Sequence, residues 1–388
     1  MARGPDTLRR DERSTSRPVE DRGLITRVQY RNYKLLREVC LDLGPLNVVV
    51  GRNGIGKSSL LEGLHFLLLC VTARDRSPLI APGSLEGLYS RPDASDLEVQ
   101  VKFDRGGQFG VAASRLDGVS AHFAANSESP PLSSGPPLDV RDALFGLPYA
   151  ARLGEVVRLK LHAEALAEDS PIREKPRIEF DGSGLPSVLW EVLARRDGTL
   201  EAIEADLRGV VKGARQVRVQ STTLHTTVMT SVTLGGQETF VEQPREMPGV
   251  HLDVEFERVG WIPSSQLSEG TLLVLGLLTL LRNRPPRIVL LDDIDKALHP
   301  VAQRGLVTLL RGVLAAKPDL QILATSHSPF VLDALSAEEA FVVGAAGPGE
   351  SRVRRLDAHP AWAKRKDFMH PGEFWSAVGE DWVAENGR

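Results

Sequence analysis

The octapeptide Gly51-Arg52-Asn53-Gly54-Ile55-Gly56-Lys57-Ser58 constrains this chain more than any other stretch. It fits G-x-x-x-x-G-K-[ST] at every fixed position, and its surroundings fit as well. Leu46 to Val50 ends in a continuous apolar run, which predicts a strand buried on both faces that feeds directly into Gly51. A helix is expected from Ser58 to about Cys70. In such a unit the glycines let backbone N–H groups curl around phosphate oxygens, and the helix points its positive end at the anion. Gly51, Asn53, Gly54, Gly56, Lys57, Ser58 and Ser59 are therefore the expected ATP-binding residues, with Lys57 at the β- and γ-phosphates and the Ser58 hydroxyl on Mg2+. The bland alternative is a Gly-rich turn with a surface lysine.

Three further stretches carry chemistry. Ile288-Val289-Leu290-Leu291-Asp292-Asp293 is an apolar strand ending in two acids, a pattern that delivers one carboxylate (Asp292) to Mg2+ and a second (Asp293) to the attacking water. Leu267-Ser268-Glu269-Gly270-Thr271 opens a helix that runs to Leu281 and stops before Pro285 and Pro286. Ser268 offers a hydroxyl there and Gly270 permits close backbone approach, although an ordinary Ser N-cap would look the same. Ala324-Thr325-Ser326-His327-Ser328-Pro329 follows a strand over Gln321 to Ala324 and brings an imidazole to a strand end.

In their order along the chain, from Gly51 through Leu267 and Ile288 to Ala324, the four stretches resemble the ABC-type ATPases that are not transporters, the RecF/SMC-like and OLD-like families. The segment Arg31-Asn32-Tyr33-Lys34-Leu35-Leu36 resembles the opening segment of such proteins. The separation of Lys57 from Ser268 is about twice that of a transporter ATPase. The resemblance implies an α/β P-loop fold with a mainly parallel sheet plus antiparallel strands, and a catalytic set of Lys57, Asp293 and His327. It also implies a homodimer that sandwiches ATP, with Ser268 and Gly270 meeting the nucleotide of the opposite subunit. Asp292-Asp293-Ile294-Asp295 departs from the family's Asp-Glu-Pro-Glu, so slow hydrolysis is expected. Gln100 and Gln108 both qualify for the family's Q-loop. The segment after His327 is short and has no Asp-x-Asp pair, so the Toprim nuclease of OLD relatives is not expected, and a separately encoded effector or nuclease is.

The apolar fraction is 42%, the net charge −4, and the cysteines are Cys40 and Cys70 only. These values suit a reducing cytoplasm and exclude a disulfide framework or a Cys-based zinc site. No apolar run approaches the roughly 20 residues of a membrane span, so no membrane partner is expected. Residues 1–22, with six arginines and five acids, read as a disordered lead-in. The ATPase domain is expected at 23–72 and 256–345, interrupted by an insertion over 73–255. That insertion contains Pro/Gly-rich loops at 77–87 and 126–137, a strand at Leu97 to Phe103 and two helical faces. Val188, Leu189, Val192 and Leu193 make one face; Leu200, Ile203, Leu207, Val210 and Val211 make the other. Leu306, Leu309, Leu310 and Val313 mark a later amphipathic helix.

Arg208, Lys212, Arg215 and Arg218 form an acid-free basic run that reads either as a local DNA contact or as a solvated helix face and loop. The tail 346–388 holds Trp362, Trp375 and Trp382 with Phe368 and Phe374. Trp375 and Trp382 are expected either to dock a partner from one helix face or to pack back on the ATPase domain. Three functions remain in view: a dimeric ATP switch in DNA repair or anti-phage defence, a nucleotide sensor with negligible hydrolysis, and a transporter ATPase subunit.

Overall fold

Strands form where the chain alternates or runs apolar. In β1 (Ile25–Tyr33) and β2 (Leu36–Asp42) buried positions are interspersed with partly or fully exposed ones, whereas all five residues of β3 (Leu46–Val50) are buried. The computed structural model describes residues 23–72, 86–90, 94, 96–104, 107–114, 118–124, 132–133, 156–234 and 237–385. The expected lead-in and most of the Pro/Gly-rich loops lie outside the described residues. The remaining strands are β4 (Asp96–Phe103), β5 (Gly107–Ser114), β6 (Gly118–Ala124), β7 (Leu132–Ser133), β8 (Val156–Leu159), β9 (Ser170–Pro171), β10 (Ala214–Leu234), β11 (Gln237–Phe256), β12 (Gly260–Pro263), β13 (Ile288–Leu291), β14 (Gln321–Ser326), β15 (Ala340–Gly347) and β16 (Glu350–Arg355).

Twelve of these strands form one mixed sheet in the order β7-β6-β5-β4-β1-β2-β16-β15-β3-β14-β13-β8. The expected parallel strands occupy one half, where β15, β3, β14, β13 and β8 all run the same way. The other half is antiparallel from β2 through β1, β4, β5 and β6. Much of the segment 73–255 thus extends this sheet, through β4 to β7 on one side and β8 on the other. β9, β10 and β11 of the same segment join β12, from just beyond it, in a second sheet, β10-β11-β12, with β9 on β11.

Helices cover both faces of the parallel half. α1 (Lys57–Thr72) lays Leu60, Leu61, Leu64, Leu67 and Leu68 against Val49, Leu290, Leu323 and Phe341. Short α2 (Ala163–Ala167), α3 (Leu185–Arg195), α4 (Thr199–Val210), α5 (Glu269–Arg282) and α6 (Pro300–Ala316) pack on the other side, with Val48, Val50, Val289, Leu291, Ile322 and Ala324. Each fully buried Leu or Val contributes roughly 1.5–3 kcal/mol. In α3 the expected apolar face is narrower than the sequence suggests, because Leu193 is exposed. α5 starts at the Ser268 N-cap and ends where Asn283 N–H reaches Thr279 O, just before the two prolines.

The hairpin β10–β11 was not expected. Its strands pair from Ala214 with Phe256 out to Leu234 with Gln237. Arg215 and Arg218 therefore lie on a strand, not on a helix face or in a loop. The tail also departs from the sequence reading. The Gly344 to Ser351 stretch holds the end of β15, the turn and the start of β16; short helix α7 (Pro329–Leu332) lies between β14 and β15, and short helices α8 (Trp362–Arg365) and α9 (Pro371–Val378) follow β16. Trp375 lies on α9 but Trp382 lies beyond its end, in a short 3-10 turn, so the two do not share a helix face. Phe374 and Trp382 join the main core, and both Phe374–His359 and Trp382–His359 meet edge to face. The tail packs back on its own domain. Among the described residues, no helix is long and apolar enough to cross a membrane.

Candidate functional site

The loop between β3 and α1 folds through positive φ at Gly51 (153°), Gly54 (73°) and Gly56 (103°). A Cβ on Gly51 would lie 2.7 Å from Val343 O, so only glycine fits there. Lys57 opens α1 and is buried, and its Nζ donates to Gly51 O at 2.7 Å and Arg52 O at 2.8 Å. Burial pulls its ammonium below the usual lysine range, against the opposing pull of Asp293, Asp292, Glu380 and Asp295. Asn53 and Gly54 are exposed and Ser59 is half-buried.

The C-terminal ends of β3, β13 and β14 converge on this loop. Ser58 Oγ donates to Asp292 Oδ1 at 3.1 Å. Thr325 Oγ1, on β14, donates to the same oxygen at 2.6 Å and accepts Asp293 N–H at 2.8 Å. Asp293 stands at φ 57°, a left-handed conformation that a non-glycine residue adopts at a cost. Nδ1 of His327 lies 3.4 Å from Lys57 Nζ, and its Nε2 faces Asp293 Oδ1 at 3.5 Å. With Nδ1 accepting from the ammonium, the ring proton sits on Nε2 and points at Asp293. Asp295 acts on the backbone instead, where its Oδ1 accepts His327 N–H at 3.1 Å and fixes the histidine loop.

The structure thus gathers Lys57, Ser58, Asp292, Asp293 and His327. The donor set fits a hard divalent cation. Ser58 Oγ and Asp292 are adjacent, and Asp292 Oδ2 is buried with no hydrogen-bond partner among the described residues. Two protein oxygens completed by phosphate and water are a usual Mg2+ arrangement.

Ser268 and Gly270 are not brought to this loop by the same chain. Ser268 is exposed and accepts from Thr271 N–H, the N-cap geometry. Gly270 is buried, and a Cβ there would lie 2.8 Å from Ala297 O, so close packing on the 295–298 turn requires this glycine. Gln100 and Gln108 sit in β4 and β5 of the antiparallel half. In the basic run, Arg218 is paired with Asp253 at 2.9 Å and stacked over Trp261 at 4.2 Å, while Arg208 donates to Arg215 O at 2.8 Å. Lys212 and Arg215 remain exposed.

Sequence reading missed four participants. Thr325 was inside a motif but without a role. Arg158 and Lys160 come from β8 and the residue just after it, beside β13, and approach Asp292 Oδ2 at 3.9 Å each. Their signal was the short strand-like run Val-Val-Arg-Leu-Lys after a Pro/Gly-rich region. Glu380 reaches the P-loop from the tail and binds Arg52 Nε at 2.9 Å, and burial pushes its carboxyl up.

Residues 219–333 match the family model described as "AAA domain, putative AbiEii toxin, Type IV TA system". The chain is 25% identical to the OLD nuclease of Thermus scotoductus, over 80% of this chain and 60% of that protein. It is 44% identical over 62 residues to the DNA replication and repair protein RecF of Thioalkalivibrio sulfidiphilus, covering 15% of this chain and 17% of that one. Among solved structures it is similar in fold to an SMC head bound to the C-winged helix domain of ScpA. That likeness has a TM-score of 0.57 at 13% identity and covers 87% of this chain and 99% of the head. These likenesses support an ABC-type ATPase of the RecF/SMC/OLD group. It spans less than two thirds of the length of these curated relatives.

Proposed function

We propose that the chain binds Mg2+-ATP at Gly51–Ser59 and hydrolyses it slowly, as one half of a homodimer that sandwiches the nucleotide. The observation that carries this reading is the convergence of Lys57, Ser58, Asp292, Asp293 and His327 at three strand ends. Lys57 would meet the terminal phosphates, and Ser58 and Asp292 would hold the metal, which when bound neutralises charge on the phosphates. Asp293 would position the attacking water, with His327 Nε2–H aimed at it. Asp293 is one methylene shorter than glutamate and already faces two cationic or imidazole groups, which supports slow turnover and favours a sensor as the second reading.

Ser268 supports the dimer reading, because it stands exposed at the N-terminus of α5, with that helix's positive end turned outward. The likeness to RecF and to an OLD nuclease supports a setting in DNA repair or defence, in which we read the chain as a cytoplasmic switch coupled to a separately encoded effector. A DNA contact would rest mainly on Arg208 and Lys212, because Arg218 pairs with Asp253 and Arg215 lies 3.8 Å from Glu257. Isothermal titration of ATP tests the core of the reading. Lys57→Ala should lose ATP binding, and near wild-type affinity in the folded variant would overturn it. Mixed Lys57→Ala and Ser268→Ala chains should recover part of the turnover, since one intact composite site is rebuilt; proven heterodimers with no recovery would overturn the sandwich.

A further inference from the structure

Lys160 holds a cation against the two carboxylates that the nucleotide reading reserves for a divalent ion. It follows β8 directly, and the parallel register of Leu159 with Leu291 sets it beside Asp292. Two backbone bonds fix that position: Asp292 N–H donates to Leu159 O at 2.8 Å, and Lys160 N–H donates to Phe180 O at 2.8 Å. Its Nζ lies 3.6 Å from Asp293 Oδ2 and 3.9 Å from Asp292 Oδ2. These are ion-pair separations and not hydrogen bonds, and Asp292 Oδ2 is still without a hydrogen-bond partner among the described residues.

The neighbouring cation is held differently. Arg158 is more deeply buried, donates to Glu62 Oε1 at 3.1 Å and lies over the Phe180 ring at 5.1 Å. That anchoring leaves its guanidinium little freedom. Lys160 has a four-carbon stem and a side chain 39% exposed, and it pairs with no other acid among the described residues, so its ammonium can turn on the stem.

We propose that Lys160 is a tethered counter-ion of the acid pair, which neutralises Asp292 and Asp293 until a divalent ion is bound and then turns to the terminal phosphate. The proposal rests on the nucleotide reading above. An ammonium about 4 Å from both carboxylates repels any divalent ion that approaches them, so the two cations cannot share the pair. Lys160 leaves the pair more readily when another anion receives it, and a triphosphate on Lys57 offers one. Metal and nucleotide therefore bind cooperatively, each favouring the arrangement the other needs. As a positioning residue Lys160 sets the order of loading: the acid pair resists divalent ions alone and accepts them with nucleotide.

The test uses the full chain and Mn2+ as the metal probe, followed by electron paramagnetic resonance with no nucleotide present. Lys160→Met should bind Mn2+ alone about tenfold more tightly than wild type, within the range usual for coupled sites. The factor by which Mn2+ strengthens binding of a fluorescent ATP analogue should shrink to match. Lys160→Arg should keep wild-type behaviour, and Lys160→Gln should repeat the Met result if Met disturbs folding. Intact analogue binding with Mn2+ affinity unchanged in both neutral variants would overturn the assignment of Lys160. Failure of wild type to bind the analogue at all would instead overturn the nucleotide reading on which it rests.

Discussion

Thr325→Val tests the construction of the site with almost no change of shape. The side chain is fully buried, and its hydroxyl makes two bonds, donating to Asp292 Oδ1 at 2.6 Å and accepting Asp293 N–H at 2.8 Å. Valine keeps the branched outline and removes both. Loss of a hydrogen bond to a carboxylate costs about 1.5–3 kcal/mol, and stranding the Asp293 amide adds about 1–2 kcal/mol. The added methyl burial returns about 1 kcal/mol. Asp292 Oδ1 keeps the Ser58 hydroxyl, so the carboxylate is not wholly stripped. The expected net destabilisation is about 1.5–4 kcal/mol, a large part of a domain stability of roughly 5–15 kcal/mol. Urea unfolding followed by tryptophan emission measures it. Asp293 also loses the amide bond that holds it at φ 57°, so turnover should fall further than ATP affinity. A stability within about 0.5 kcal/mol of wild type, with normal turnover, would refute the role given to the hydroxyl.

Two predictions concern the tail. Trp382→Ala should cost about 3–5 kcal/mol, because the indole belongs to the main core; unchanged melting with loss of assembly would restore the docking idea. Burial holds the His359 imidazole below its ordinary value of 6.5. The unfolded chain then takes up the proton more readily, so this stability is present above pH 6.5 and is lost as pH falls through the folded value. Melting temperature should drop over that window in wild type, and the drop should shrink in His359→Gln; identical profiles would sink the assignment.

The sequence made the parallel half legible because strands buried on both faces must be continuously apolar, as β3 and β13 are. It also made α5 legible, since a Ser cap and two prolines bound an unbroken apolar stretch. The β10–β11 hairpin escaped for the converse reason. At most of the described positions in 221–231 and 242–248 its side chains are exposed, so no apolar alternation marks it. What remained readable was a β-branched run on either side of Gly235-Gly236, a turn signal that a search for helical faces passes over. β16 escaped likewise, with one buried residue in six. At the site, residues contiguous in a motif were found, whereas Lys160 and Glu380 arrive from distant segments and carry no local pattern. The four basic residues looked like a patch because the sequence does not show Asp253 lying across from Arg218.

The turn after the acid pair ties the two halves of the proposed site together. Asp293 and Ala297 both take left-handed φ, each at a cost of roughly 1 kcal/mol or more, so neighbouring contacts must hold the turn. Those contacts come from opposite directions. From β14, Thr325 binds the amides of Asp293 and Ile294 through its hydroxyl and its carbonyl, and Asp295 binds His327 N–H. From α6, Gln303 donates to Leu298 O at 2.9 Å and accepts from Ser328 Oγ of the histidine loop. From α5, Gly270 presses on Ala297 O so closely that no Cβ fits between them. The N-terminus of α5 carries exposed Ser268, the residue proposed above to meet a second copy. A load on that helix therefore bears directly on the turn, and through Asp295 on the backbone of His327. Packing this tight leaves little room for one half to move without the other.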